Sequence, residues 1–262
     1  MNQQIKTISV DELAKPPYNV LLSYPKVDQN KSERILRKLK DVGLAEVLMK
    51  GNAQINGIQV LGKGCTAVVF AAETKFGHVA VKVLRSDADR ASLRSEAKFL
   101  RKVNSVGIGP KLYHSTDEFL ILELVEGKRI GDYVEELKGR GTTKRLRDVI
   151  RELLRQCFLL DQNNIAHCEL SNPVKHIIIK ERDEPVIIDF ESASEKKRYS
   201  NLTALAQSFF VGGKLSPKIR RIFKIKEYRP IIEALKEYKH NPNSETYRRV
   251  LQTTKIDQTI NK

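Results

Sequence analysis

A small set of residues in this sequence has the type and spacing for chemistry on a phosphorylated ligand. Gly62 and Gly64 stand two apart in Leu61-Gly-Lys-Gly-Cys-Thr-Ala-Val-Val-Phe70. Glycines so placed let backbone N–H groups approach phosphate oxygens closely, although the same pair also describes a plain hairpin turn. Lys82 lies on the alternating segment Val79-Ala-Val-Lys-Val-Leu84. Read alone, it is a solvent-facing lysine on a strand. Glu96, however, falls on the apolar stripe formed by Leu93, Ala97 and Leu100. A carboxylate on a packed helix face needs a cation, and Lys82 is the candidate; the other reading of Glu96 is a stripe-edge residue that reaches water. A Lys–Glu pair beneath a glycine loop can hold a lysine against α- and β-phosphates. Further along, His167-Cys-Glu169-Leu170 precedes an apolar hairpin and Asp189-Phe-Glu191 follows it. That order brings Glu169 and Asp189 to one place. The bland alternatives are a core histidine for His167 and a turn-capping acid for Asp189.

The elements that must position these groups follow from periodicity. Residues 1–57 read as a mostly helical extension. Pro16, Pro17 and Pro25 break its start, and a helical pattern begins at Ser32 with Ile35, Leu36, Leu39, Val42 and Leu44 apolar. From Ile58 the period changes to short β-branched runs, Ile58–Leu61, Val68–Ala72 and Val79–Leu84, separated by glycine turns, which predicts an antiparallel meander. A helix is expected from Ser86 as N-cap, followed by apolar segments at Lys111–His114 and Phe119–Val125. The remainder reads as largely helical, with a helix over Asp148–Asp161 and one hairpin, Ile177–Ile179 with Val186–Ile188. A β-rich part joined by one extended segment to a helical part predicts a cleft between two lobes.

On these residues the sequence resembles the protein-kinase superfamily. Gly62-x-Gly64-x-x-Ala67-x-Val69 is similar to its glycine loop, with alanine for the third glycine, and Val79-Ala-Val-Lys82 to its VAIK strand. Glu96 matches the αC glutamate, Ile121-Leu-Glu-Leu124 the hinge, His167-Cys-Glu-Leu170 the HRDL loop and Asp189-Phe-Glu191 the DFG motif. The resemblance implies an α+β, bilobal protein-kinase-like fold. A small β-rich N-lobe would span 58–124 and a reduced helical C-lobe 125–262, with the extension before them. It implies ATP with Mg²⁺, or Mn²⁺, as cofactors. Nucleotide contacts are expected from Gly62, Lys63, Gly64, Val69, Ala80, Lys82, Glu96, Leu122, Glu123 and Leu124. Lys82 would hold phosphates, Glu96 would orient Lys82, Asp189 would carry the metal, and Glu169 would be the base.

Departures from the family pattern are equally specific. Glu169 is one methylene longer than the family's aspartate. The asparagine expected five residues after it is Val174, which leaves His176 or Asn172 as the second metal residue. No APE motif follows Asp189. Together with Gly109-Pro-Lys-Leu-Tyr113 and Asp-Phe-Glu-Ser-Ala-Ser194, these features are similar to the RIO kinases, the small KEOPS-complex kinase and an archaeal group of serine/threonine kinases related to both. The reading that results is an atypical serine/threonine protein kinase, able to autophosphorylate. The alternative is a nucleotide-binding pseudokinase or ATPase that serves RNP, tRNA-modification or ribosome assembly.

Composition narrows the class without naming a reaction. The chain has 262 residues and carries 47 Lys and Arg against 32 Asp and Glu, a formal charge of +15. Such a balance points to an anionic partner. The excess gathers after the catalytic motifs, at Lys196–Arg198 and over Lys214–Arg229, where Glu227 is the lone acid. Either a solvated surface or a docking strip for RNA or an acidic protein accounts for it. No apolar run reaches the ~20 residues of a spanning helix, and the N-terminus lacks the apolar core of a signal peptide. Three scattered cysteines without a CxxC pair argue against a disulfide framework and for a reducing cytoplasm.

Overall fold

The structure, a computed structural model, describes residues 5–196 and 199–257. It divides into two compact units, Met1–Asn104 with Pro110–Leu124, and Ser105–Gly109 with Val125–Lys262.

The first unit contains β1 (Lys6–Ser9), α1 (Val20–Ser23), α2 (Gln29–Asp41), β2 (Leu44–Met49), β3 (Ala53–Ile55) and β4 (Ile58–Val60). It continues with β5 (Gly62–Lys63), β6 (Ala67–Thr74), β7 (Gly77–Leu84), α3 (Arg94–Ser105), β8 (Leu112–Ser115) and β9 (Phe119–Glu123). A seven-stranded sheet runs β1-β2-β6-β7-β9-β8, with β5 pairing β6, while β3 and β4 form a separate hairpin. Every pairing in the large sheet is antiparallel. Val79 to Leu84 of β7 are all buried, as a central strand covered on both faces requires.

Residues 1–57 differ from the helical extension expected of them. Asp28 caps α2 through the Lys31 N–H, and Ile35, Leu36 and Leu39 are buried as their spacing predicts. The helix stops at Asp41, however, and Gly43 turns the chain at φ +81°. Leu44, counted in the helical pattern, instead begins β2. That strand lies between β1 and β6, so the segment before residue 57 supplies two strands of the large sheet. Leu13, Leu21, Leu22, Ile35 and Leu39 are completely buried in one core with Val47, Phe70, Val81 and Ile121. Residues 1–57 and 58–124 thus share a sheet and a core.

The helix expected from Ser86 begins at Arg94 instead. Ser86 does not cap it because its hydroxyl donates to the Ser23 and Tyr24 carbonyls at 3.2 and 3.1 Å. Asp87 is likewise held by the Arg85 guanidinium.

The second unit opens with β10 (Lys128–Arg129), α4 (Ile130–Glu136), α5 (Thr142–Gln162), α6 (Pro173–His176), β11 (Ile177–Ile179) and β12 (Pro185–Ile187). It closes with α7 (Asn201–Gln207), α8 (Ser216–Ile222), α9 (Arg229–His240) and α10 (Ser244–Thr253). The expected hairpin is present as β11 and β12, with Ile177 opposite Ile187 and β10 added at its edge. The helix expected over Asp148–Asp161 lies within α5. Among the described residues no helix is long and apolar enough to cross a membrane.

The shared core gives the first prediction. Leu39→Ala removes a fully buried side chain and is expected to cost about 2–5 kcal/mol in urea unfolding. A chain started at Ile58 leaves β6 without β2 and is expected to aggregate rather than fold, as size-exclusion chromatography would show.

Candidate active site

In the first unit, sheet register assembles the candidate nucleotide face. Gly62 pairs Val69, Val69 pairs Lys82, and Lys82 pairs Leu120. Residues directly opposite across antiparallel strands project from the same side of a sheet. Val69 and Lys82 therefore share the face on which Gly62 lacks a side chain. Ala80, two residues from Lys82, joins it and pairs Leu122. Neither Gly62 nor Gly64 has a positive φ. A Cβ built on Gly62 would meet only the Val69 Cβ at 4.0 Å, and one on Gly64 would come no nearer than 3.6 Å to the Ala67 carbonyl. The chain's own packing does not require glycine at either position. What the missing side chains provide is a bare backbone surface, suited to the close approach of phosphates.

Lys82 Nζ lies 2.8 Å from Glu96 Oε1, and the two residues are 6% and 2% exposed. Glu96 occupies the first turn of α3, and its helix places it among Ala97, Phe99, Leu100 and Val103. A buried charge is tolerable where an opposite charge lies this close, and removing one partner of such a pair typically costs about 3–5 kcal/mol.

Two expected nucleotide residues have side chains elsewhere. Lys63 alternates with Gly62, and its ammonium sits 4.8 Å from the centre of the Tyr24 ring. Glu123 alternates with Leu122; its carboxylate accepts the Lys111 N–H at 3.2 Å and its own N–H donates to the Lys111 carbonyl at 2.8 Å. Leu124 follows at the end of the first unit.

The second unit gathers the other candidates. His167 is fully buried, its Nε2 3.0 Å from the Ile188 carbonyl and its ring edge-on to Phe190 at 4.9 Å. Glu169 Oε1 accepts from the Ser192 hydroxyl, and Oε2 lies 2.8 Å from His176 Nε2. His176 Nδ1 is in turn 3.9 Å from Asp189 Oδ2. Of the two candidates for the missing asparagine, His176 is thus the one between the acids. Asn172 is exposed, and its backbone N–H bonds the Glu169 carbonyl at 3.0 Å.

Burial pushes the His176 imidazole below its ordinary value, against the opposing pull of Glu169 and Asp189. A neutral ring carries one proton. The short contact assigns it to Nε2, facing Glu169, and leaves Nδ1 with an unshared pair that makes no hydrogen bond to the Asp189 carboxylate. A carboxylate oxygen has two lone pairs, so Glu169 can still accept from a substrate hydroxyl at its half-exposed side. Asp189 has φ +69°, a left-handed conformation that costs a non-glycine residue on the order of 1–3 kcal/mol. The cost is borne where an exposed carboxylate is aimed.

Sequence reasoning missed the groups that fix this loop. Asn201, completely buried, accepts the His167 N–H at 2.9 Å and donates to the Ile165 carbonyl at 2.7 Å. Asp161, at the end of α5, receives the Asn201 N–H and side-chain amide, both at 2.7 Å, and the Tyr238 hydroxyl at 3.0 Å. Burial pushes the Asp161 carboxyl up, opposed by these donors. Ser200-Asn201 reads as an ordinary helix start, and nothing local marks its amide as the partner of residue 167.

Among the described residues no group of three or more His, Cys, Asp and Glu is arranged to hold a metal by itself. Asp189 offers the single carboxylate with which Mg²⁺ bound mainly through phosphates is usually held, whereas the His176 imidazole is a poor ligand for so hard an ion.

The protein tyrosine and serine/threonine kinase profile matches residues 55–208. The chain is 27% identical over 139 residues to the probable serine/threonine-protein kinase zyg-1 of Caenorhabditis briggsae, covering 52% of this chain and 19% of that protein. It is 36% identical over 89 residues to the serine/threonine-protein kinase YabT of Bacillus subtilis, covering 29% and 25%. An uncharacterised protein of Methanocaldococcus jannaschii is 30% identical over 120 residues, 45% of this chain and 98% of that protein. The chain thus spans a quarter or less of the length of these two kinases.

The buried histidines give a pH dependence. Burial lowers His167 from the ordinary 6.5, so below that pH the unfolded chain binds more protons than the folded one. Stability is therefore full above pH 6.5 and falls as the pH drops toward the lowered folded value, by up to about 1.4 kcal/mol per pH unit for this residue. His176 contributes with the same sign. Urea unfolding between pH 7 and pH 5 should show this slope, and His167→Asn should make it shallower.

Proposed function

The chain belongs to the protein tyrosine and serine/threonine kinase family, and on that premise we propose that it is a small, atypical serine/threonine protein kinase of the RIO-like kind. It transfers the ATP γ-phosphoryl group to a protein hydroxyl, its own included. The observation that carries this reading is the buried Lys82–Glu96 pair in register with Gly62 and Val69. A lysine so held presents a fixed positive charge on the face left bare by the glycines.

Each group then has a task. Ala80, Val69 and Leu122 offer the adenine an apolar surface, and Lys82 neutralises phosphate oxygens while Glu96 fixes its position. Asp189 would hold a divalent cation, with His176 or Asn172 as weaker candidates beside it; the cation would supply charge neutralisation at the transferring phosphoryl. Glu169 orients the acceptor hydroxyl and takes its proton, itself steadied by Ser192 and His176. Positioning and electrostatics carry nearly all the catalysis in such transfers. The departures Glu169, His176 and Glu191 from the family pattern support the atypical subtype.

We place the anionic-partner surface on Lys214, Arg221, Lys224, Lys226 and Arg229, all exposed. Lys218 and Arg220 are engaged internally, with Glu135 and with the Phe210 and Val211 carbonyls. Lys196 is also exposed, while Lys197 and Arg198 lie outside the described residues. The free thiols Cys65, Cys157 and Cys168 suit a cytoplasmic setting.

Purified chain incubated with γ-labelled ATP and a divalent cation should yield acid-stable phosphoserine or phosphothreonine. Asp189→Asn and Lys82→Met should each lower the yield at least about a hundredfold. Release of free phosphate with no labelled protein would instead establish an ATPase.

A further inference from the structure

The segment before the kinase motifs reaches the glycine loop through one aromatic ring. Lys63 of the loop and Arg85, just after β7, both place their cations 4.8 Å from the centre of the Tyr24 ring. Cations over an aromatic face are attracted to its quadrupole. Arg85 also grips the loop directly, since its Nη1 donates to the Gly64 carbonyl at 2.7 Å and its backbone N–H to the Thr66 carbonyl at 2.9 Å. The rest of its fork is fixed by Asp87, through Nε and Nη2, both at 2.7 Å. The guanidinium is therefore held by three partners at once: a carboxylate, a loop carbonyl and a ring.

The backbone that carries the ring is fixed. The Tyr24 carbonyl accepts the Ser86 N–H at 2.8 Å, and Ser86 Oγ reaches both the Ser23 and Tyr24 carbonyls. Ser23 Oγ accepts the Asp28 N–H at 2.9 Å and meets Ser32 Oγ at 3.0 Å, tying this turn to α2. Lys31 Nζ donates to the Leu84 carbonyl at 2.9 Å. The end of β7 is thus stitched to the 23–32 segment on both sides of Tyr24.

We propose that Tyr24 is a positioning residue for nucleotide binding: through Lys63 and Arg85 it clamps the Gly62–Thr66 loop in its binding conformation before the nucleotide arrives. A loop ordered in advance loses less conformational freedom on binding, and the saving appears as affinity. The clamp uses the ring face and not the hydroxyl, so phenylalanine serves as well as tyrosine. It also gives residues 1–57 a task beyond completing the sheet. The inference rests on the nucleotide role assigned to the glycine loop, and the test below separates the two.

Wild type, Tyr24→Ala, Tyr24→Phe and Arg85→Ala are compared by calorimetric titration with Mg·ADP, by steady-state kinetics, and by hydrogen exchange of residues 62–69 without nucleotide. Tyr24→Ala and Arg85→Ala should each weaken ADP and raise the KM for ATP about three- to tenfold with kcat within about twofold, while Tyr24→Phe restores wild-type affinity. Amides of 62–69 should exchange faster in Tyr24→Ala than in wild type or Tyr24→Phe. Unchanged loop exchange and affinity in Tyr24→Ala would overturn the clamp, as would equal loss in the alanine and phenylalanine variants. A fall in kcat at constant KM would also overturn it. If wild type binds no nucleotide, the proposed function fails, and the exchange comparison still decides whether the clamp exists.

Discussion

The first unit is organised around one buried charge pair. Lys82 and Glu96 are both nearly inaccessible, and neither would be stable there alone. Holding them at 2.8 Å requires β7 to sit in the middle of the sheet and α3 to present its first turn to that strand. The remaining strands follow from that demand. β6 and β9 flank β7, and β2 with β1 extends the sheet past β6. Burying an ion pair yields little net stability compared with an apolar pair of equal volume. Its value is a single lysine conformation, fixed relative to Gly62 and Val69 by register rather than by side-chain flexibility.

The second unit solves a related problem with hydrogen bonds. Glu169 and Asp189 carry like charges toward one region, and His176 stands between them as a neutral spacer that donates to Glu169, its other ring nitrogen 3.9 Å from Asp189 Oδ2. The strained backbone at Asp189 and the αL conformation of Cys168, at φ +72°, persist because the surrounding segments over-determine them. Asn201 anchors the chain beside His167, Asp161 anchors Asn201, and Tyr238 of α9 anchors Asp161. The conformation at His167 is therefore specified in part by Asn201 and Tyr238, both more than thirty positions away in the chain.

That distance explains what could be read from the sequence and what could not. Lys82, Glu96, His167 and Asp189 announce themselves because each sits at a fixed offset within a periodic element: a strand, a helix stripe or a hairpin end. The β11–β12 hairpin and α5 were legible for the same reason. Ser86 was misread as a helix cap because two carbonyls from residues 23 and 24 compete for its hydroxyl, and such competition has no local trace. Lys63 and Glu123 turn their side chains away from the candidate nucleotide face because strand alternation assigns residues to faces, so what they offer there is backbone. β1 and β2 were missed because Lys6–Ser9 is too short to show a period and Leu44–Met49 has three consecutive buried residues, a pattern that a helix shares.

The insertion of β2 between β1 and β6 also bears on how the chain acquires its structure during synthesis. Residues 6–49, with Leu13, Leu21, Leu22, Ile35 and Leu39, precede β6 in the chain, yet β2 has no inner neighbour until Ala67–Thr74 has been translated. The large sheet therefore cannot close around β2 before β6 follows it, and β7 with Lys82 comes next in chain order, so core and lysine strand are completed together.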